Sequence, residues 1–122
     1  MNRETVITQT VGFVKETLAG AESGHDWWHI YRVWKTAKEI AKSENVNSFV
    51  VELGALLHDI ADSKFHHGDE EIGPRKARQF LSSIGVEEEI IIHVENIITN
   101  ISFKGGKEVQ KFKSRELDVV QD

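Results

Sequence analysis

The sequence contains no cysteine, which excludes disulfide bonds, thiolate metal sites and cysteine nucleophiles. Any metal site must therefore use histidine and carboxylate ligands. The sequence also lacks an excess of positive charge. Its formal net charge of −5 argues against a basic surface that binds a nucleic-acid polymer. The sequence has no membrane-length apolar run and no signal-peptide core at its N-terminus. We expect a cytoplasmic protein that binds neither a nucleic-acid polymer nor a membrane.

What is present is typical of one globular domain. The chain has 122 residues, of which 39% are hydrophobic and 29% are charged, so a single domain over 1–122 is expected. The chain ends at Asp122, two residues after the last of the apolar residues Leu117, Val119 and Val120, with no glycine cap or longer polar tail. We expect the domain to lack its C-terminal helices, or a homo-oligomer to cover this apolar face.

Apolar residues recur at helical spacing along most of the chain, which predicts an all-α fold of five to six helices. The expected segments are about 6–18, 25–43, 47–61, 69–84, 87–99 and 114–122. The third segment is apolar nearly all round, which predicts a central helix with Asn47 or Ser48 as its N-cap. Pro74 suits the first turn of the fourth helix, and Gly85 suits its end.

The fifth segment is rich in isoleucine, a residue with strand propensity. We expect a helix, because helical spacing is kept by Val86, Ile90, Val94, Ile97 and Ile101.

The chemistry of the chain centres on His58 and Asp59, which follow the apolar run 50–57. An imidazole nitrogen and a carboxylate oxygen side by side can bind one cation. A histidine that caps the helix dipole is the alternative for His58, but a carboxylate at a helix C-terminus is unfavourable without a cation beside it. Upstream, His29 falls on the inner face of its helix, where a core histidine bonded to a carbonyl is the alternative to a metal ligand.

Three blocks around these residues resemble the HD-domain superfamily of metal-dependent phosphohydrolases. The blocks are GHDWWHIYRV at 24–33, LHDIADSKFH at 57–66 and ISFKGG at 101–106. They resemble the small bacterial branch of nucleotide pyrophosphohydrolases, and the similarity runs from about 24 to the C-terminus. The resemblance implies an all-α HD-domain bundle with one divalent metal ion at its centre, which is Mn, Fe, Ni, Co, Zn or Mg.

The resemblance also implies an activity. A metal-activated water would cleave a phosphoanhydride or phosphoester of a small nucleotide, for example as a nucleoside triphosphate pyrophosphohydrolase. The alternative is a non-catalytic or regulatory HD-fold module that binds metal or nucleotide without turnover.

By position in the blocks, the resemblance implies that His29, His58 and Asp59 are metal ligands. The fourth ligand is a late aspartate, for which Asp122 is the candidate in this chain. The late helix of this branch reads Asp-Ala-Asp-Arg-Leu-Asp, and its ligand is either the first or the second aspartate. Only the first is present here, and loss of a ligand would lower metal affinity and activity.

Asp62 matches the acidic residue that positions or deprotonates the attacking water, although a loop cap explains its position equally well without the resemblance. We expect Asp62 and Lys64 to be catalytic. The expected substrate contacts are Lys64, Lys104, Arg32 and His66. The two lysines are expected because phosphoryl transfer needs positioning and neutralisation of charge, whereas a carboxylate is the alternative to a phosphate as the partner of Arg32. An exposed, solvated side chain is the alternative for each lysine taken alone.

Two further groups carry alternatives. His66 and His67 would suit a second metal ion, but binuclear relatives have a later histidine near the position of Asn100, so we expect one ion. Trp27, Trp28 and Trp34 could form a platform on which a nucleotide base stacks. The alternative is that they pack in the core, which is the more common role of tryptophans at this spacing.

Overall fold

The structure is a computed structural model, and it describes residues 2–19, 26–60, 72–101 and 114–121. The helices in these ranges are α1 (Arg3–Thr17), α2 (Trp27–Ser43), α3 (Ser48–Leu57), α4 (Ile72–Ser83), α5 (Glu88–Ile101) and α6 (Arg115–Gln121). No strand occurs within the described ranges. The predicted all-α fold is confirmed, and so is the helical interpretation of the isoleucine-rich segment.

Helix α3 is the centre of the bundle, as its sequence predicts. Eight of its ten residues are buried, and α1, α2, α5 and α6 all pack against it. Each large apolar side chain that becomes fully buried, such as Leu53, Leu56 or Leu57, contributes about 1.5–3 kcal/mol. Helix α4 packs on α5 and is joined to α1 by the stacked rings of Phe13 and Phe80, whose centroids are 4.2 Å apart.

Helix α2 runs antiparallel to α3. Trp34 Nε1 donates a hydrogen bond of 3.0 Å to Glu52 Oε1, and nearer the start of α2 the His29 ring lies 6.0 Å from the ring of His58. The start of α2 therefore lies beside the end of α3.

Helix α6 runs parallel to α3. At the start of α3, the Asn47 N–H donates to Glu116 Oε2 at 2.7 Å. Further along α3, a Cβ added to Gly54 would lie 3.4 Å from Val120 Cγ2, so α6 packs directly on the backbone of α3 at this point. The C-terminal end of α6 therefore points toward the C-terminal end of α3.

Helix α5 also runs parallel to α3 and α6. His93 Nε2 lies 3.1 Å from Ser114 Oγ, just before α6 begins, and Ile97 Cγ2 lies 3.1 Å from the Cβ position of Gly54. As a result, α3, α5 and α6 all end at the end of the bundle where α2 begins. We call this the site end.

The predicted caps are confirmed. Asn47, rather than Ser48, caps α3, because its Oδ1 accepts from the Phe49 and Val50 N–H groups at 3.1 and 3.3 Å. Pro74 lies in the first turn of α4. Gly85 ends that helix with a φ of 84°, in the left-handed region that glycine tolerates.

Several predicted helix ends are wrong. Helix α1 begins at Arg3 rather than at residue 6, and α5 ends at Ile101 rather than at residue 99. Helix α2 begins at Trp27 rather than at residue 25, because Asp26 is in an extended conformation and caps it. Helix α3 ends at Leu57 rather than at residue 61, with His58 as its C-cap. Residues 25, 61, 69–71 and 122 of the predicted segments lie outside the described ranges.

The apolar residues of α6 are covered by the chain itself. Leu117, Val119 and Val120 are 0, 5 and 6% exposed, because α6 packs on α2, α3 and α5. The expected exposed face at these three residues is therefore wrong. Among the described helices, none is long and apolar enough to cross a membrane.

Candidate metal centre

His58 and Asp59 directly follow Leu57, the last residue of α3, at the site end of the bundle. His58 Nδ1 lies 2.7 Å from the Ala55 carbonyl oxygen. Because a carbonyl oxygen only accepts, Nδ1 carries the proton, and the lone pair of the neutral ring is on Nε2. This hydrogen bond orients the ring and defines Nε2 as the nitrogen suited to a metal.

His29 is the third residue of α2 and is held by the cap of that helix. Asp26 Oδ1 accepts a hydrogen bond of 3.2 Å from the His29 N–H, which satisfies one of the unpaired amides of the first turn. The His29 ring meets the His58 ring at an interplanar angle of 61°. The sequence contains the signal for this cap, an aspartate directly before the first helical residue, but its role at the site became clear only from the structure.

One ligand atom from each of His29, His58 and Asp59 lies within 4.8 Å of the other two, and all three residues are half-buried. We call these three residues the metal cluster. Two atoms that each bind one ion at about 2.1 Å are at most about 4.2 Å apart, so modest side-chain rotation would bring all three to one ion. In the described part of the chain, no other group of three such residues meets this condition.

The charges at this position also favour a cation. The C-terminal end of α3 carries the negative end of the helix dipole, and the Asp59 carboxylate adds a negative charge there. Two imidazoles and a carboxylate form a donor set that suits divalent transition metals. The residues present therefore fit a divalent metal ion.

Of the other predicted site residues, Arg32 lies within the described ranges. Arg32 is exposed on α2, one turn after His29. The remaining predicted residues lie outside the described ranges: Asp62, Lys64, His66, Lys104 and Asp122. The described helices that precede these residues in the chain, α3, α5 and α6, end at the site end.

Two polar residues of α5 have hydrogen-bond partners elsewhere in the bundle. Asn100 is 6% exposed, and its Nδ2 donates to the Asn96 carbonyl oxygen at 2.7 Å. His93 contacts Ser114 and Glu116 at the far end of the bundle from the metal cluster.

The three tryptophans differ from one another. Trp27 and Trp34 are half-buried and pack against the core, as core packing predicts. For Trp28, which is 62% exposed, the core interpretation is wrong.

The model of the HD domain family matches residues 27–119. The chain belongs to the HD domain family. The resemblance found in the sequence is thus confirmed at the level of the family, whose members typically bind a divalent metal ion.

Individual relatives agree with this assignment. The uncharacterized protein YpgQ of Bacillus subtilis (strain 168) is 35% identical over 118 residues, which are 90% of this chain and 54% of YpgQ. A crystal structure of an HD-superfamily hydrolase from Bacillus thuringiensis matches with a TM-score of 0.77 and 38% identity, over 98% of this chain and 56% of that one.

The crystal structure of Bacillus subtilis YpgQ in complex with ADP matches with a TM-score of 0.78 and 31% identity, over 99% of this chain and 57% of that one. This HD domain chain spans about half the length of the relatives it matches. Its fold is that of the HD-superfamily hydrolases.

Proposed function

We propose that this chain is a metal-dependent phosphohydrolase that cleaves a phosphoanhydride or phosphoester of a small nucleotide, with nucleoside triphosphate pyrophosphohydrolysis as the first activity to test. The observation that carries the proposal is the metal cluster at the site end. The ADP complex of YpgQ supports a nucleotide as the ligand. We also propose that residues 1–122 form one domain, since the described helices pack on α3 directly or through α5.

The ion would be held by His29, by His58 through Nε2, and by Asp59, with Asp122 as the fourth ligand. Asp122 is supported by the direction of α6, because Val120 packs beside Gly54, about one helical turn before His58. When bound, a divalent ion would lower the pKa of a coordinated water and polarise a phosphoryl oxygen. The donor set is compatible with one ion of Mn, Fe, Co, Ni, Zn or Mg.

The chain's own residues would supply proton transfer and positive charge. Asp62 accepts the proton of the attacking water, and Lys64 neutralises charge that develops on the phosphoryl group. Lys104, Arg32 and His66 hold the phosphates. These roles are supported by the exposed Arg32, one turn after His29 on α2, and by the ends of α3 and α5, which lie at the site end.

The test is turnover of nucleoside triphosphates with Mn²⁺, followed as release of pyrophosphate or phosphate. Asp62→Asn should keep the metal and lose about 100-fold or more in rate, because general base catalysis is worth about 10²–10⁴-fold. Asp118→Asn is the matched control, since Asp118 is exposed on α6 and lies near Arg115 and Glu44, away from the metal cluster. It should keep the full rate.

A panel of divalent metals and phosphate esters that yields no turnover would contradict the enzyme. Binding of Mn²⁺ and ADP without turnover would then identify the chain as a non-catalytic HD module. A full rate for Asp62→Asn would remove Asp62 from the mechanism.

A further inference from the structure

Trp28, which directly precedes His29 of the metal cluster in the chain, presents an exposed aromatic surface. It is 62% exposed and lies in the first turn of α2. The rings of Trp28 and Tyr31 form an edge-to-face contact, with centroids 6.0 Å apart and an interplanar angle of 80°. This contact holds the indole at a defined position although most of its surface faces solvent.

Two positively charged side chains follow Trp28 on the same side of α2. Lys35 Nζ lies 5.8 Å from the centroid of the Tyr31 ring, and the exposed Arg32 follows Trp28 by four residues. These cations lie on one stretch of α2 in a chain whose net charge is −5. A ligand that matches this stretch carries both a flat π face and negative charge, which is the chemistry of a nucleotide.

The order of side chains around α2 matches the order of groups in a nucleotide. Successive residues of an α-helix are rotated by about 100°, so Arg32 lies about 40° from Trp28 on one side and about 60° from His29 on the other. Viewed down the axis of α2, Arg32 thus lies between the exposed indole and His29, about one turn further along the helix. A base, a phosphate and the reacting phosphate could contact these three positions in that sequence.

We propose that Trp28 is the platform on which the base of the nucleotide stacks, with Arg32 on the phosphate between the base and the metal cluster. This inference rests on the proposed function and adds how the substrate is selected. Stacking tolerates every base, because each has a π face. Trp28 therefore distinguishes nucleotides from inorganic phosphates and does not distinguish strongly among bases.

The test compares equilibrium binding of ADP with that of inorganic pyrophosphate, which has no base, in the full chain with Mn²⁺ present. Trp28→Ala should weaken ADP about tenfold or more and change pyrophosphate binding by less than about twofold. Trp28→Phe should restore most of the ADP affinity, because it restores a ring. Ile92→Ala is the matched control, since Ile92 is 46% exposed on α5, and it should change neither affinity.

Binding and turnover give separate results. If ADP binds and depends on Trp28 but nothing is hydrolysed, the platform stands and the enzyme proposal fails. Equal loss of ADP and pyrophosphate in Trp28→Ala, no loss of either, or failure of the wild type to bind ADP would each overturn the platform. A change in self-association on gel filtration, with ADP affinity unchanged, would instead assign this surface to a protein partner.

Discussion

The two ends of α3 are built for different purposes, although they belong to one buried helix. At the N-terminal end, Asn47 accepts from two amides of the first turn, and its own N–H donates to Glu116. At the C-terminal end, His58 and Asp59 meet His29 with their ligand atoms within 4.8 Å of one another. The first end pairs its polar groups within the protein, and the second gathers donors that one cation can share.

Stability and chemistry therefore depend on opposite ends of one helix. A cap satisfies helix amides and lowers the free energy of the folded state. A carboxylate at the negative end of a helix is unfavourable there until a cation binds. The buried middle of α3 holds both ends in place, and a change at each part should affect a different measured quantity.

The largest effect is expected in the shared middle of the helix. Leu56 is fully buried, so Leu56→Ala should lower the free energy of unfolding by about 2–5 kcal/mol through lost burial and a cavity. Urea denaturation measures this loss. Leu56→Met keeps most of the volume and should cost less than about 1.5 kcal/mol; similar losses for both variants would show that packing around Leu56 is not what supports the two ends.

The next effect belongs to the C-terminal end. Mn²⁺ at about 100 times its dissociation constant should raise the free energy of unfolding of the wild type by about 2.7 kcal/mol, because only the folded chain presents the metal cluster. Asp59→Asn should lose more than half of this gain, whereas Asp118→Asn should keep it. The comparison between the ends fails if Asp59→Asn gains as much as the wild type.

A smaller effect is expected at the N-terminal end. Asn47→Ala should lower the free energy of unfolding by about 1 kcal/mol, because the amides of Phe49 and Val50 lose their acceptor. The gain from Mn²⁺ should stay unchanged. Asn47→Asp keeps a carboxylate cap and should cost less; a loss of the metal gain in Asn47→Ala would mean that the two ends are coupled.

The smallest effect concerns an exposed ion pair away from both ends. Two hydrogen bonds from the Arg78 guanidinium, of 2.8 and 2.9 Å, lower the pKa of Glu88. Because the pKa of Glu88 is lower in the folded state, the ion pair stabilises the folded state above the unfolded pKa of about 4.3. This stabilisation is lost as the pH falls through the folded-state pKa.

Thermal unfolding of wild type and Glu88→Gln, which leaves the contact of Arg78 with Glu95 in place, checks this sign. Their midpoints should differ slightly at pH 7 in low salt and converge below about pH 4. A difference that grows in acid would contradict the assignment of the Glu88 pKa.

The helices could be predicted because their signals are local. The Asn47 cap, the position of Pro74 and the left-handed turn at Gly85 each depend on a few neighbouring residues. The start of α2 and the end of α3 were predicted less accurately. The segment before α2 offers more than one residue that can begin the helix, and the apolar run of α3 does not mark where the helix ends. Tertiary contacts decide whether a tryptophan is buried, which explains the error at Trp28.

The metal cluster could not be derived from spacing alone. His29 and His58 are 29 positions apart, and they meet because α2 and α3 are antiparallel, a pairing that periodicity does not specify. The resemblance to the HD superfamily supplied that pairing at the sequence level. Asp62, Lys64, His66, Lys104 and Asp122 stay predictions.

The most direct test of the central claim is the metal content of the purified chain, loaded with Mn²⁺ and freed of excess ion, for the wild type and His58→Ala. We predict close to one equivalent of metal in the wild type and a small fraction of an equivalent in His58→Ala, with the same helical content by circular dichroism. A His58→Ala protein that is folded and still holds one equivalent would contradict the assignment of the metal centre to the end of α3.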